Sequence, residues 1–345
     1  MDSLWRAQCL CRQEAGRPLQ RGTGRKGHDH LAQAGSDSVR EDLPIIRLRY
    51  RDGSIAARDG VVLSFFIHRD HQEVAPAVWR ALQVYLRAVP ANSLNWYDSD
   101  DGDTAPLDDK GWEVIRERLL ERTWGTAWTA ELSGNDSQTD GYHFEYYGRK
   151  LDAPTGFLKK DPTTGVSFTF PTEYLLEHGP DALRALAFKL AGELPFSFGY
   201  ASLAVVAARA NWVASQGNDL DVLLARYLGV DLYFVEEISD SIGTGARGAY
   251  WLTFLGQPLL GQLGGVEGLR RALPFPEVAL LPLDSQRLLI SLGERPDPID
   301  TQQGPIPPQY RALAKVLEPF LYKDRDHGVP PEETFMHPWL RRLCR

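Results

Sequence analysis

Three groups of residues have types that do chemistry, and spacing decides what each can do. The first is the acidic run Asp98, Asp100, Asp101, Gly102 and Asp103. Clustered carboxylates hold calcium in an EF-hand loop when glycine stands sixth and a bidentate glutamate twelfth. Counted from Asp98, the sixth residue is Asp103 and the twelfth is Asp109, so that pattern is broken and the run reads as a solvated turn or a negative patch. The second group is Cys9, Cys11, His28 and His30, four ligands without zinc-finger spacing and with too few apolar residues to fold around a metal. His68 and His71, beside Arg69 and Asp70, read as an exposed strand end with no third ligand close by. The third group is G-x-G-x-x-G, which occurs twice. Gly22, Gly24 and Gly27 have no strand before them, and Gly243, Gly245 and Gly248 lead into a strand rather than a helix, so no helix N-terminus is offered to a phosphate. No G-x-S-x-G, H-E-x-x-H or Walker pattern is present. No metal or cofactor is therefore expected. Catalytic carboxylates drawn from distant positions leave no spacing signature, so a hydrolase or metal-dependent enzyme built from scattered Asp, Glu and His stays as the alternative to a binding protein.

The elements that would position these residues alternate between strand and helix. Ile45–Tyr50 and Gly60–Ile67 read as strands, separated by turns at Asp52-Gly53 and Asp59-Gly60. Val78, Trp79, Leu82, Tyr85, Leu86 and Val89 share one helical face, with Pro76 in the first turn. Asn95–Pro106 reads as a loop. Asp108 can then cap a helix that turns Trp112, Ile115, Leu119 and Leu120 inward and Asp109, Glu113, Arg116 and Arg118 to water. Trp124–Leu132, Tyr142–Tyr147, Gly165–Phe170 and Ser197–Ala208 come next as strands, with a helix opened by Pro180 before the last of them. Asp219 caps another helix, Asp231–Ile238 continues as strand, and Tyr250–Leu255 forms a strand closed by Gly256 and Pro258. Short helical turns carry Leu259, Leu260 and Leu263, then Val266, Leu269 and Leu273, with Gly264-Gly265 between them. A hairpin over Val278–Leu292 and a helix from Tyr310 to Leu321 complete the pattern. Without a regular βαβ rhythm, the prediction is an α+β fold: a mixed, largely antiparallel sheet packed by amphipathic helices.

Charge is unevenly distributed. The formal net charge is −8, but residues 1–40 carry +3 and the rest of the chain −11. An acidic body argues against nucleic-acid binding and fits a basic protein partner. Residues 1–42 are expected to be a disordered basic tail, 43–322 the α+β domain with a break near 210–218, and 323–345 a C-terminal extension. Three cysteines at the periphery, no apolar run of membrane-spanning length, and an opening MDSLWRAQCLCRQ without the apolar segment of a secretory signal place the protein in the cytoplasm.

Several stretches carry a family likeness: Asn95-Trp96-Tyr97-Asp98, Ser197-Phe198-Gly199-Tyr200-Ala201, and Arg226–Asp231, where Pro would be expected in place of Leu228. The likeness is strongest at Tyr250–Gly256 with Leu263-Gly264-Gly265, and continues through Leu288–Gly293 and Pro308-Gln309-Tyr310-Arg311. Together these resemble the type VI secretion immunity family (TsiV-like) over residues 45–322. They are packing and turn residues, so the likeness speaks to fold and carries no catalytic motif. It implies a cytoplasmic immunity protein, not an enzyme, that binds and silences one cognate toxin, often a restriction-endonuclease-like nuclease. The residues expected at such an interface are Trp96, Tyr97, Asp98, Asp100, Asp101 and Asp103, an acidic loop with aromatic anchors, with Glu236, Glu237 and Asp240 as a second patch. A structural or chaperone-like component of the secretion apparatus is a third reading.

Overall fold

The computed structural model describes residues 43–153, 161–207, 219–323 and 336–345. The expected tail at 1–42, with Cys9, Cys11, His28, His30 and the first glycine motif, lies outside these residues, as does the expected break near 210–218. In chain order the strands are β1 (Arg47–Arg49), β2 (Ile55–Ile67), β3 (Trp96–Asp98), β4 (Thr104–Pro106), β5 (Ala127–Ser133), β6 (His143–Arg149), β7 (Thr164–Pro171), β8 (Phe198–Val206), β9 (Val230–Leu232), β10 (Leu252–Leu255), β11 (Ala279–Pro282) and β12 (Leu288–Ser291). The helices are α1 (His71–Ala88), α2 (Asp109–Arg116), α3 (Thr172–Glu193), α4 (Asp219–Arg226), α5 (Val235–Ser239), α6 (Leu259–Gln262), α7 (Gly265–Ala272), α8 (Pro308–Leu317) and α9 (Met336–Leu340).

The strands form one 12-stranded sheet in the order β11-β12-β10-β8-β2-β7-β6-β5-β3-β4, with β1 on β2 and β9 on β8. Among the strands of the described residues, β8 and β9 alone pair in parallel. This is the mixed, largely antiparallel α+β architecture that the sequence predicts. Alternation along β2 explains how both faces are filled. Val61, Leu63, Phe65 and Ile67 enter one core, which α1 and α3 supply with Val74, Val78, Leu82, Leu183, Leu186 and Leu190. Val62 and Phe66 enter the other, with Tyr250, Leu255, Leu259, Leu269, Leu313 and Leu317. Burying both faces explains why the central strands read as near-continuous apolar runs.

Several local expectations are corrected. Asp59-Gly60 is no turn, because β2 runs straight through it. The Asp59 carboxylate instead accepts the Ile46 N–H at 2.8 Å and pairs with Arg47. Gly60 is needed for close approach, since a Cβ there would lie 2.5 Å from the Phe170 carbonyl oxygen and from Val206. Helix α1 starts at His71, which puts Pro76 inside it and His71 in the core. Asn95–Pro106 is not loop but a hairpin of β3 and β4. Asp231–Ile238 splits into β9 and α5. Pro180 does open a helical segment, because α3 is interrupted at Gly179, whose φ is 78°.

The stretch Tyr250–Leu273 is a packing hub. β10 lies between β8 and β12, and α6 and α7 come after it, with left-handed Gly264 (φ 79°) and Gly265 (φ 64°) at the entrance to α7. A Cβ on Gly256 would collide with the Phe196 carbonyl oxygen at 2.1 Å. Beyond α8, Trp339, Leu340, Arg342 and Leu343 are buried, and Arg342 donates from Nε to the Leu228 carbonyl at 2.8 Å. No described helix is long and apolar enough to cross a membrane.

Candidate interaction surface

Strands β3 and β4 pair Trp96 with Pro106, Tyr97 with Ala105 and Asp98 with Thr104, and β4 ends the sheet order. The tip is closed by Ser99 N–H to the Asp103 carbonyl at 2.9 Å and Gly102 N–H to Ser99 at 3.1 Å, with Gly102 at φ 85°. Such a left-handed position favours glycine, which is why one interrupts the acidic run. The hairpin turns a cluster of aspartates into a fixed protrusion at the edge of the sheet.

Its members differ in what they expose. Asp98 is buried and accepts from Gln138 Nε2 at 2.9 Å. Trp96 and Tyr97 are half-buried, and the Tyr97 ring packs so tightly on Gly111 that a Cβ there would come within 2.9 Å. Asp100 is exposed but stapled, 2.9 Å from Arg118 Nη2 and 3.2 Å from Arg122 Nη2. Hydrogen bonding from Arg122 holds its carboxyl below the usual range; burial opposes this, and the nearby Arg118 charge adds to the lowering. Asp101 and Asp103 are exposed and have no ion-pair partner among the described residues.

The staple depends on a helical irregularity. Asp108 caps α2 as predicted, accepting the Gly111 N–H at 2.9 Å. After Arg116 the chain widens into a π-turn over Glu117–Glu121, with Arg122 N–H reaching the Glu117 carbonyl at 2.9 Å. The wider turn shifts the phase of its side chains about the helix axis. Arg118, expected in water, is therefore only 3 % exposed and donates to the carbonyls of Asp98 at 2.9 Å and Thr129 at 3.3 Å. Arg122 bonds Glu117 at 2.8 Å and lies 5.1 Å from the ring of Trp124. Trp124 is 70 % exposed. Sequence reasoning placed it at the start of a strand, as its β-propensity suggests, and so missed it as surface.

The second expected patch lies elsewhere. Helix α5 packs on β6 and β7. Asp240 pairs with Arg149 at 3.1 Å, Glu236 is half-buried, and Glu237 is exposed. Beneath them are two acids that the sequence gives no reason to single out. Glu131 and Glu145 face each other across β5 and β6, at positions where strand alternation suggests solvent. Tyr147 donates to Glu131 at 2.7 Å and Tyr233 to Glu145 at 3.2 Å. Burial pushes the Glu145 carboxyl up to about 8; the Tyr233 bond opposes this and Glu236 adds to it.

The remaining chemical candidates resolve as packing. His71 stacks on Trp128 at 4.1 Å and shares a 2.8 Å hydrogen bond with Tyr146, and burial lowers its pKa to about 4. His68 lies 3.6 Å from Asp161. Gly243, Gly245 and Gly248 form a loop docked on Asp161 and Phe320, not a helix entrance. A cleft of about 650 Å³ beside α1 and α3 is lined by Arg69, Glu73, Arg80, Glu193 and Arg287, of which Arg80 and Glu193 pair at 2.8 Å. Among the described residues, no three of His, Cys, Asp or Glu converge so as to hold a metal ion.

Compared with known proteins, residues 77–343 match the TsiV family, described as type VI immunity for VRR-NUC. That span takes in the segment after Tyr322, which the residue likeness left out. Among solved structures, the Pseudomonas aeruginosa T6SS protein PA0821 superimposes with a TM-score of 0.69 at 18% identity, covering 86% of this chain and 87% of that one, a likeness of fold. No curated protein sequence matches the chain.

Proposed function

Because the chain belongs to the TsiV family, type VI immunity for VRR-NUC, we propose that it binds a cognate VRR-NUC toxin in the cytoplasm and neutralises it without chemistry of its own. The observation that carries this beyond family membership is the fixed acidic hairpin at the sheet edge, where Asp101 and Asp103 stand in solvent without ion-pair partners among the described residues. A nuclease must present positive charge to phosphates. A body of net charge −11 steers toward such a surface and speeds encounter. Within the hairpin, Asp100, Asp101 and Asp103 supply charge, Trp96 and Tyr97 supply partly exposed aromatic area, and Asp98 fixes the strand from which they project. Glu236, Glu237 and Asp240 form a secondary acidic surface.

The test is co-expression with the VRR-NUC protein encoded beside its gene. Growth should be rescued, and capture of the toxin by the purified protein should weaken as salt rises. Continued killing at full expression of the immunity protein would overturn the reading.

A further inference from the structure

We propose that Trp124 is the anchor of the toxin interface, an exposed indole set beside the acidic hairpin to receive a basic pocket of the partner. The proposal rests on the reading that the chain binds a VRR-NUC toxin. Among the exposed large hydrophobic side chains of the described residues, Trp124 at 70 % exposure is the largest. An indole left in water forgoes the free energy of burial, which a bound partner would recover.

The ring is not loose. It sits on the short connection between the π-turn and β5, and the chain is fixed on both sides of it. Before it, the Arg122 carbonyl accepts Trp128 Nε1–H at 2.9 Å. After it, the Thr126 carbonyl accepts the Lys150 N–H at 3.0 Å. Gly125 at φ 109° makes the bend between them. The Arg122 guanidinium, 5.1 Å from the ring, is itself held by Glu117 and Asp100. A rigid aromatic side chain loses little entropy on binding, which is why such residues carry interface energy.

Charge identifies the occupant. Arg118 and Arg122 are largely buried and their charge is matched by Asp100 and Glu117, whereas Asp101 and Asp103 project from the same hairpin. A partner meeting this edge finds an aromatic centre with a negative rim. That fits Lys or Arg side chains arranged to bind phosphate, one of which can lie against the indole.

The experiment is surface plasmon resonance of the full-length protein on an inactivated VRR-NUC toxin encoded beside its gene. Trp124→Ala should raise Kd at least about thirty-fold, chiefly through faster dissociation, with Tm unchanged, and Trp124→Phe should fall between. Asp101→Asn with Asp103→Asn should instead slow association and flatten its salt dependence. Tight binding by both the native protein and Trp124→Ala would overturn the anchor alone. A lowered Tm for Trp124→Ala would do the same, by giving the ring a folding role. Failure of the native protein to bind would sink the immunity reading on which the anchor depends.

Discussion

Aspartate, arginine and aromatic rings meet at two places in this molecule, with opposite results. Beneath the hub, Asp231 and Arg247 are fully buried and 3.3 Å apart. Tyr250 donates to Asp231 at 3.1 Å and Tyr200 at 2.8 Å; the two rings stack at 4.1 Å, and Arg342 approaches the same carboxylate at 3.9 Å. Both carboxylate oxygens are engaged. At the sheet edge, Asp100 gathers Arg118 and Arg122 beside Trp124, but Asp101, Asp103 and the indole are left over. The first group holds one arrangement of the core. The second holds a surface ready and leaves part of it unused. Residue type does not separate the two roles; burial and surplus do.

The comparison is broken most severely from the inside. Asp231→Ala leaves Arg247 buried without its carboxylate and should cost about 3–5 kcal/mol, read as a large drop in Tm or in the denaturant midpoint. Gly264→Val places a branched side chain at φ 79° and should cost about 2 kcal/mol by denaturant titration. The variant that remains folded should still bind toxin. A folded, stable variant that no longer bound would make the hub part of the interface.

A buried glutamate sharpens the contrast through pH. The Glu145 carboxyl, raised to about 8, faces Glu131, Tyr147, Tyr233 and Glu236. Between the ordinary glutamate value and about 8, the native state holds a proton that the unfolded chain has released. Stability should therefore fall as pH rises through that window, by up to about 1.4 kcal/mol per pH unit, and level off above it. Glu145→Gln should flatten the slope in melts taken across that range. The smallest stability effect is expected at the edge. Asp101→Asn and Asp103→Asn should change stability by less than about 0.5 kcal/mol while slowing toxin association.

The buried strands and the hub were legible because apolar runs closed by Gly and Pro have few other uses, and β8, β10 and the β11–β12 hairpin lie where such runs predict. The failures share a cause, namely that the deciding partner is distant in sequence. Gly60 looks like a turn until β7 and β8 crowd it. Arg118 looks solvated until a π-turn shifts its phase toward the carbonyls of Asp98 and Thr129. Glu131 and Glu145 occupy alternating positions that suggest solvent, and only the packing of Tyr233 and α5 buries them. The acidic character of the candidate interface was visible in the sequence, whereas Trp124 stands out only once Arg122 is seen pinning the turn beside it.

The most direct measurement is a nuclease assay in which the purified protein is titrated into its purified VRR-NUC toxin with DNA substrate in excess. The immunity account predicts that cleavage falls linearly to zero at a fixed stoichiometric ratio. Undiminished cleavage in the presence of a large excess of the protein would contradict it.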